Sequence, residues 1–413
     1  MTSSAATGLD AGRQQAAATA DDRFGVDLYQ RLRTGQPNLV FSPASIAAAL
    51  QLALTGARGR TAAQLAAALR LTGADPATAA RDGLLLLAAV TSAGQDANPA
   101  AVTSAGQDAN PAASHRDPAL ILRAPSSLWI QSGLPLEPSF TQPLPDGAAA
   151  VVREADFRGA PQQARSAINE LISAQTEGKI ANLLARDAVT ASTRLVLANA
   201  VYLKAPWAFP FTAGATRDAP FHPGDSPGDS PITVSMMHRT ADLPYRRGDG
   251  YQAVLLPYQN SSLAMAIVLP DRPLASLTGH PGSNGLSSLL AGAERQSVAL
   301  ALPKFRQRTS AGLIPVLRDL GVEDAFTDRA DFSGITTAEQ LLISAVVHQA
   351  YIDVDEQGTE AAAATAVTLR PMALRRGPEP ITLTVDRPFL FAIVDTATGL
   401  PLFLGQVTHP ATA

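Results

Sequence analysis

The chain has 413 residues, of which 46% are hydrophobic and 16% charged, with a formal net charge of −4 and no cysteine. This composition can form a large core, excludes disulfides, thiolate metal sites and a cysteine nucleophile, and lacks the basic balance that nucleic-acid partners require. No apolar run reaches the roughly 18 residues of a membrane span, so no membrane contact is expected. With no linker between structured halves, we predict one domain over residues 19–413 after a flexible tail at residues 1–18.

The amino-terminal third of the chain carries helix signals. Ser42 and Pro43 are typical of a helix start, with Ser as the N-cap and Pro in the first turn. Apolar residues then recur at helical spacing as far as Leu54. Thr61 and Gln64 match the capping-box pattern, which predicts that the next helix opens there.

A perfect tandem repeat follows these helices. The sequence AAVTSAGQDANP occurs at Ala88–Pro99 and again at Ala100–Pro111. A solenoid needs at least three units with an apolar face, and this repeat has two copies with one valine in each. We therefore interpret residues 88–111 as a duplicated loop insertion.

The rest of the chain is richer in strand signals. One further helix is predicted where Ile168, Leu171 and Ile172 form an apolar stripe that ends near Gly178. Short apolar runs predict strands at Leu195–Leu203, Val254–Pro257, Leu263–Leu269, Val298–Leu302 and Ile381–Val385. Helices in the amino third and strands after it indicate an α+β fold.

Catalytic and metal-binding patterns are absent from the sequence. Gly224-Asp225-Ser226 is similar to the nucleophile segment of chymotrypsin-like proteases, but Pro227 stands where the oxyanion hole needs a small, flexible residue. No G-x-S-x-G elbow occurs, and no two of the six histidines are three or four residues apart. We expect no enzyme activity, no metal and no cofactor.

The segment EQGTEAAAATA, at Glu356–Ala366, is the most informative part of the chain. Alanine favours helices, but here no apolar stripe recurs and β-branched residues follow. In an extended strand one face would carry Thr359, Ala361, Ala363 and Thr365, and the other Glu360, Ala362, Ala364 and Ala366. The single charge, Glu360, would then lie on a face that can stay solvated. We predict a loop that can insert as a strand.

Eight segments of the chain, in this order, have counterparts in one known family. They are FSPASIAAAL (41–50), TAAQLAAAL (61–69), INELISAQTEGKIANLL (168–184), LVLANAVYLKAPW (195–207), LPKF (302–305), DFSG (331–334), SAVVHQAYIDVDEQGTEAAAATA (344–366) and VDRPFLFAIVD (385–395). Together they resemble the serpins, which are large single-domain protease inhibitors. The resemblance implies a monomer with about nine helices, three β-sheets and a mobile reactive-centre loop at residues 356–380.

The same resemblance implies a suicide-substrate mechanism. A serine protease would attack the loop, become trapped as an acyl-enzyme, and be carried along as the cleaved loop inserts into the central sheet. The hinge of that movement would be formed by Glu356, Gly358, Thr359, Glu360, Ala361, Ala362, Ala363, Ala364, Thr365 and Ala366. The alternative is a non-inhibitory serpin that acts as a carrier or binding module. Such members tend to have charged or bulky hinge residues, whereas the run Ala361–Ala364 of this hinge is neither charged nor bulky.

The resemblance places the reactive bond in two ways. Counting forward from Glu356 by the family's usual spacing makes Met372 the specificity residue and Met372–Ala373 the scissile bond, which fits elastase-like or subtilisin-like targets. Counting back from the Pro-Phe pair of VDRPF favours Arg375 or Arg376, which fits trypsin-like targets.

The family also has a polar cluster where the central strands part, and Ser42, Ser45, Asn199 and His348 match it. Trp207 matches a tryptophan at the point of loop entry. His348 could equally be a satisfied core histidine and Trp207 ordinary core. The first 20 residues lack the basic and apolar regions of a signal peptide, so a cytoplasmic location is expected, with an extracellular one as the alternative common in the family.

Overall fold

The structure, a computed structural model, describes residues 8–71, 75–96, 120–141, 150–223, 230–275, 285–360 and 379–410. In these ranges the α-helices are α1 (Ala11–Leu32), α2 (Pro43–Gly56), α3 (Gly59–Ala68), α4 (Pro76–Asp96), α5 (Pro138–Thr141), α6 (Pro161–Gln175), α7 (Ser287–Leu290) and α8 (Ile314–Asp319). Single 3-10 turns lie at Ala213–Ala215 and Asp324–Phe326.

The strands of the described residues form two sheets. They are β1 (Leu39–Phe41), β2 (Ile121–Arg123), β3 (Ser126–Gln131), β4 (Ala150–Ala155), β5 (Leu195–Pro206), β6 (Arg217–Phe221), β7 (Ile232–Gly248), β8 (Tyr251–Pro257), β9 (Leu263–Pro270), β10 (Glu294–Pro303), β11 (Phe305–Gly312), β12 (Ile343–Val354), β13 (Gly358–Thr359), β14 (Ile381–Thr384), β15 (Phe389–Asp395) and β16 (Pro401–Val407). This arrangement confirms the predicted α+β class.

The nine-stranded sheet has the order β1-β16-β15-β9-β8-β7-β10-β14, with β6 also paired to β7. Its longest strand, β7, has 17 residues and links two groups of strands. The first part of β7 pairs with β6 and β10, and its last residues pair with β8. In the described part of the chain, these two groups, which are continuous through β7, and the second sheet make three groups of strands.

The seven-stranded sheet has the order β11-β12-β13-β5-β3-β4, with β2 also paired to β5. Helix α2 contacts β3 and β5 of this sheet and β16 of the other. Its side chains are almost all buried, because it lies between the two sheets. The cap of α2 is the predicted one: the Ser42 hydroxyl accepts a hydrogen bond from the backbone N–H of Ser45.

The predicted flexible tail is wrong for residues 11–18, which form the first turns of α1. The Asp10 carboxylate caps this helix by accepting a hydrogen bond from the backbone N–H of Arg13 at 2.9 Å. Ala17 and Ala18 are buried, and α1 packs against α2 and α4. This alanine-rich segment, for which the sequence predicts a flexible tail, thus contributes buried residues to the core, because small side chains allow close packing of helices.

Two other local predictions are corrected. Residues 88–96 of the first repeat copy belong to α4, with Val90 buried, so the loop interpretation is wrong for them; residues 97–111 lie outside the described ranges. Thr61 and Gln64 form no capping box, because α3 begins at Gly59. Their side chains instead accept hydrogen bonds from backbone N–H groups in the segment 323–331. No helix in the described part of the chain has the length and apolar character needed to cross a bilayer.

Candidate functional site

Strands β5 and β12 separate at one end of the seven-stranded sheet, and β13 lies in the gap. From Leu195 to Tyr202, β5 pairs directly and in parallel with β12. Beyond that point Gly358 pairs with Pro206, and Thr359 pairs with Ala205 on one side and with Val354 on the other. Gly358 and Thr359, at the start of the predicted hinge, therefore form a two-residue wedge between β5 and β12. The two strands pair directly with each other over the rest of their shared length.

The wedge fits closely because of its small residues. A Cβ atom on Gly358 would lie 2.1 Å from the Ala205 carbonyl oxygen. Thr359 is fully buried, and its hydroxyl lies 2.6 Å from the Tyr258 hydroxyl. The Tyr258 ring stacks on Trp207 with centroids 4.7 Å apart. Burial raises the pKa of Tyr258 well above its usual value, so this hydroxyl remains protonated and able to donate.

The turn that precedes β13 is fixed by polar contacts. The Trp207 indole donates to the Asp355 carbonyl at 3.0 Å. The Asp355 carboxylate accepts hydrogen bonds from the backbone N–H groups of Gln357 and Gly358. The Glu356 carboxylate contacts Lys304 Nζ and Thr216 Oγ1, each at 2.7 Å. Burial alone would raise the pKa of Glu356, but these two contacts hold it below its usual value. Glu356 is therefore ionised and anchors the turn.

Glu360 ends the wedge. Its φ of +50° is left-handed, which a non-glycine residue rarely adopts, and its backbone N–H donates to the Asp353 carbonyl at 2.7 Å. Its carboxylate forms an ion pair with Lys179, which follows α6, and its side chain is only 13% exposed. Strand β13 thus ends at Thr359, and the charge of Glu360 is neutralised by Lys179 rather than solvated.

A buried polar cluster crosses the two strands where they pair. His348 on β12 lies directly opposite Asn199 on β5, and its Nδ1 contacts the Asn199 side-chain oxygen. The other ring nitrogen accepts a hydrogen bond from the Ser42 backbone N–H at 3.1 Å, so Nδ1 carries the proton. Burial lowers the pKa of His348 to about 3, and the ring is neutral. Ser45 continues the cluster through its hydroxyl, 3.2 Å from that of Ser126.

The structure therefore brings together Ser42, Ser45, Asn199 and His348, and places Trp207 beside the hinge instead. The hinge residues Ala361, Ala362, Ala363, Ala364, Thr365 and Ala366 lie outside the described residues, as do Met372, Ala373, Arg375 and Arg376. In the described ranges no group of three or more His, Asp or Glu side chains is arranged to hold a metal ion.

Sequence reasoning missed several residues that contact the site. They are Ser126, Lys179, Thr216, Tyr258 and Lys304. Lys179 and Lys304 lie in two of the segments that carry the family resemblance, at 168–184 and 302–305. Their position in these segments is the one sequence feature that points to them. Which carboxylate each lysine would meet depends on tertiary packing.

A family model described as serpin (serine protease inhibitor) matches residues 19–410. The chain is a serpin. An uncharacterized serpin-like protein of Thermococcus kodakarensis is 36% identical over 403 residues, which cover 97% of this chain and 88% of that protein. Leukocyte elastase inhibitor of Sus scrofa is 34% identical over 410 residues, covering 95% of this serpin and 99% of the relative.

Solved serpin structures share this fold. Human thyroxine-binding globulin, in a crystal structure of its complex with thyroxine, has a TM-score of 0.77 and 25% identity to this serpin. The alignment covers 97% of this chain and 100% of the globulin. The resemblance seen in eight short segments thus extends over the whole fold.

The close approach at Gly358 leads to a prediction. We expect Gly358→Ala to displace β13 and to lower the free energy of unfolding by about 1–3 kcal/mol, because the added methyl group would overlap backbone atoms of β5 that cannot move away. The matched control is Gly312→Ala in β11, where an added Cβ meets no atom within 4 Å. Urea unfolding of both variants checks the prediction, which is wrong if the two midpoints are equal.

Proposed function

We propose that this serpin inhibits serine proteases as a suicide substrate whose cleaved loop inserts between β5 and β12. The observation that carries the proposal is the wedge of β13, which already pairs with both strands at the point where they part. Each further residue inserted would exchange one step of the parallel β5–β12 ladder for two antiparallel steps, one on each side. Insertion therefore increases the number of backbone hydrogen bonds.

In this proposal, the contacts between β5 and β12 restrain insertion until the loop is cleaved. The direct pairing of β5 with β12 must open, and the His348–Asn199 contact across it must break. We propose that this polar cluster is the region where the sheet opens, since hydrogen-bonded groups can exchange partners. The free energy that drives insertion would come from a native state that is stable only kinetically. Loop insertion in serpins releases strain that such a state stores.

The target is proposed to be a serine protease with a pocket for an unbranched apolar side chain, which follows from Met372 as the specificity residue. The name of the relative leukocyte elastase inhibitor supports an elastase-like target. Arg375 or Arg376 as the specificity residue would instead indicate a trypsin-like target. We also propose that residues 19–413 act as one domain and that the protein acts as a monomer.

To test this function, the protein is mixed with elastase, subtilisin, trypsin or chymotrypsin. The products are then analysed by denaturing gels and mass spectrometry. We expect a covalent band at the summed mass with at least one protease, and the mass of the released carboxyl-terminal peptide identifies the scissile bond. Loop cleavage without any covalent band, and without a rise in the melting temperature of the cleaved protein, would overturn the proposal. That result would favour the carrier function, which is the second candidate because the structural relative thyroxine-binding globulin is bound to thyroxine.

A further inference from the structure

A cluster of charges joins β5 and β12 at their amino ends, far along the strands from the hinge. It consists of Arg158, Arg194 and Glu339, and we name it the charge clasp. Arg194 immediately precedes β5, and Glu339 lies four residues before the start of β12. Arg158 lies in the turn between β4 and α6. The clasp thus connects three elements around the end of the β5–β12 pair.

The geometry of the clasp is that of one carboxylate between two guanidinium groups. Arg194 Nε contacts one oxygen of Glu339 at 2.7 Å, and the Arg158 guanidinium pairs with the other oxygen. The backbone N–H of Arg194 also donates to the Ser344 hydroxyl at 3.3 Å, which is a second link between the two strands. These contacts, with the Arg194 hydrogen bond first, lower the pKa of Glu339, so the carboxylate stays ionised.

A strand that continues β13 in register would arrive at the clasp last. Thr359 pairs with Ala205, and antiparallel pairing advances one residue along β5 for each residue inserted. Eleven further residues would bring the inserted strand level with Arg194. At that point β5 and β12 must be separated by an additional strand width of about 4.8 Å, which a 2.7 Å contact between their ends cannot span.

We propose that the charge clasp is the final restraint on loop insertion and sets the rate of the last stage of protease capture. This inference rests on the proposed inhibitory function. The three side chains are 21–48% exposed, so the clasp is screened by salt and can open without unfolding the sheet. Insertion must break the two charge-assisted contacts of the clasp. A substitution that removes both in advance should therefore accelerate the last stage of insertion by about tenfold.

The test measures how fast the clasp end of the sheet rearranges when a protease attacks. The chain has no cysteine, so Ala338→Cys, at an exposed position beside the clasp, accepts a single fluorescent label. Stopped-flow fluorescence after mixing with a saturating protease that forms the covalent complex gives the rate. We compare the labelled parent with its Glu339→Gln and Arg158→Met derivatives, at low salt and at about 0.5 M NaCl.

The matched control is Asp271→Asn. Asp271 also lies between two arginines, Arg247 at 2.8 Å and Arg387 at 3.9 Å, with 29% exposure, but it follows β9 in the other sheet. We expect Glu339→Gln to be about tenfold faster than the parent at low salt, Arg158→Met to be faster by a smaller factor, and both differences to shrink at high salt. Asp271→Asn should match the parent.

Two outcomes would overturn the proposal that the clasp restrains insertion. One is a Glu339→Gln rate equal to that of the parent, and the other is an equal acceleration in Asp271→Asn. In both cases the parent still forms the covalent complex, so the proposed function stands. A parent that is cleaved without a covalent complex and without a gain in thermal stability overturns the proposed function itself.

Discussion

Thr359→Arg is expected to convert the inhibitor into a substrate, so that proteases cleave the loop and are released. Thr359 has no exposed surface, and its hydroxyl contacts that of Tyr258, whose ring stacks on Trp207. A guanidinium at this position would be buried without a carboxylate partner, which costs several kcal/mol. The arginine would stay outside the sheet, so residue 359 would not pair with β5 and β12, and insertion would not proceed beyond it.

The measurement is the fraction of protease that enters a covalent complex, compared between variants. Gln357→Arg is the matched control, because it adds the same charge two residues earlier at a half-buried position outside β13. It should retain most of the trapping. Thr359→Val, which keeps the shape and loses the hydroxyl, should trap protease but with a lower unfolding midpoint. Full covalent trapping by Thr359→Arg would contradict both the burial argument and the insertion mechanism.

The features that could be predicted from sequence are those that depend on local chemistry. The Ser42 cap of α2 and the central strands follow from short-range rules, and the α+β class follows from their order. The close approach at Gly358 and the burial of Thr359 agree with a strand made of small residues. For these positions, residue type and spacing restrict the structure directly.

The failures concern residues whose partners are distant in sequence. The alternation of side chains predicts a solvated face for Glu360, but Lys179, 181 residues earlier, forms an ion pair with it. Gln64 fits a capping box by spacing, but its side chain accepts from backbone groups near residue 324 instead. The charge clasp likewise joins Arg194 to a carboxylate 145 residues away. Local patterns carry no information about such pairs, because they arise only after the sheets and helices have packed.

The central position of His348 predicts how stability depends on pH. The ring is buried and neutral, with its pKa lowered to about 3, whereas a histidine in the unfolded chain has a pKa near 6.5. Between these values the unfolded state binds a proton that the native state does not. Stability from this group is therefore complete above about pH 6.5 and is lost as the pH falls toward 3, by about 1.4 kcal/mol for each pH unit.

The measurement is the urea midpoint of the parent and of His348→Gln between pH 7.5 and pH 4.5. At pH 7.5 the variant should be less stable, because a glutamine cannot satisfy both Asn199 and the Ser42 backbone N–H in the same positions. As the pH falls to 4.5 the parent should lose about 2.7 kcal/mol relative to the variant. His238, whose pKa is also lowered by burial, is present in both proteins, so its effect cancels in the difference. Parallel curves for the two proteins would mean that the cluster opens and admits water well before unfolding, and that His348 does not hold β5 and β12 together.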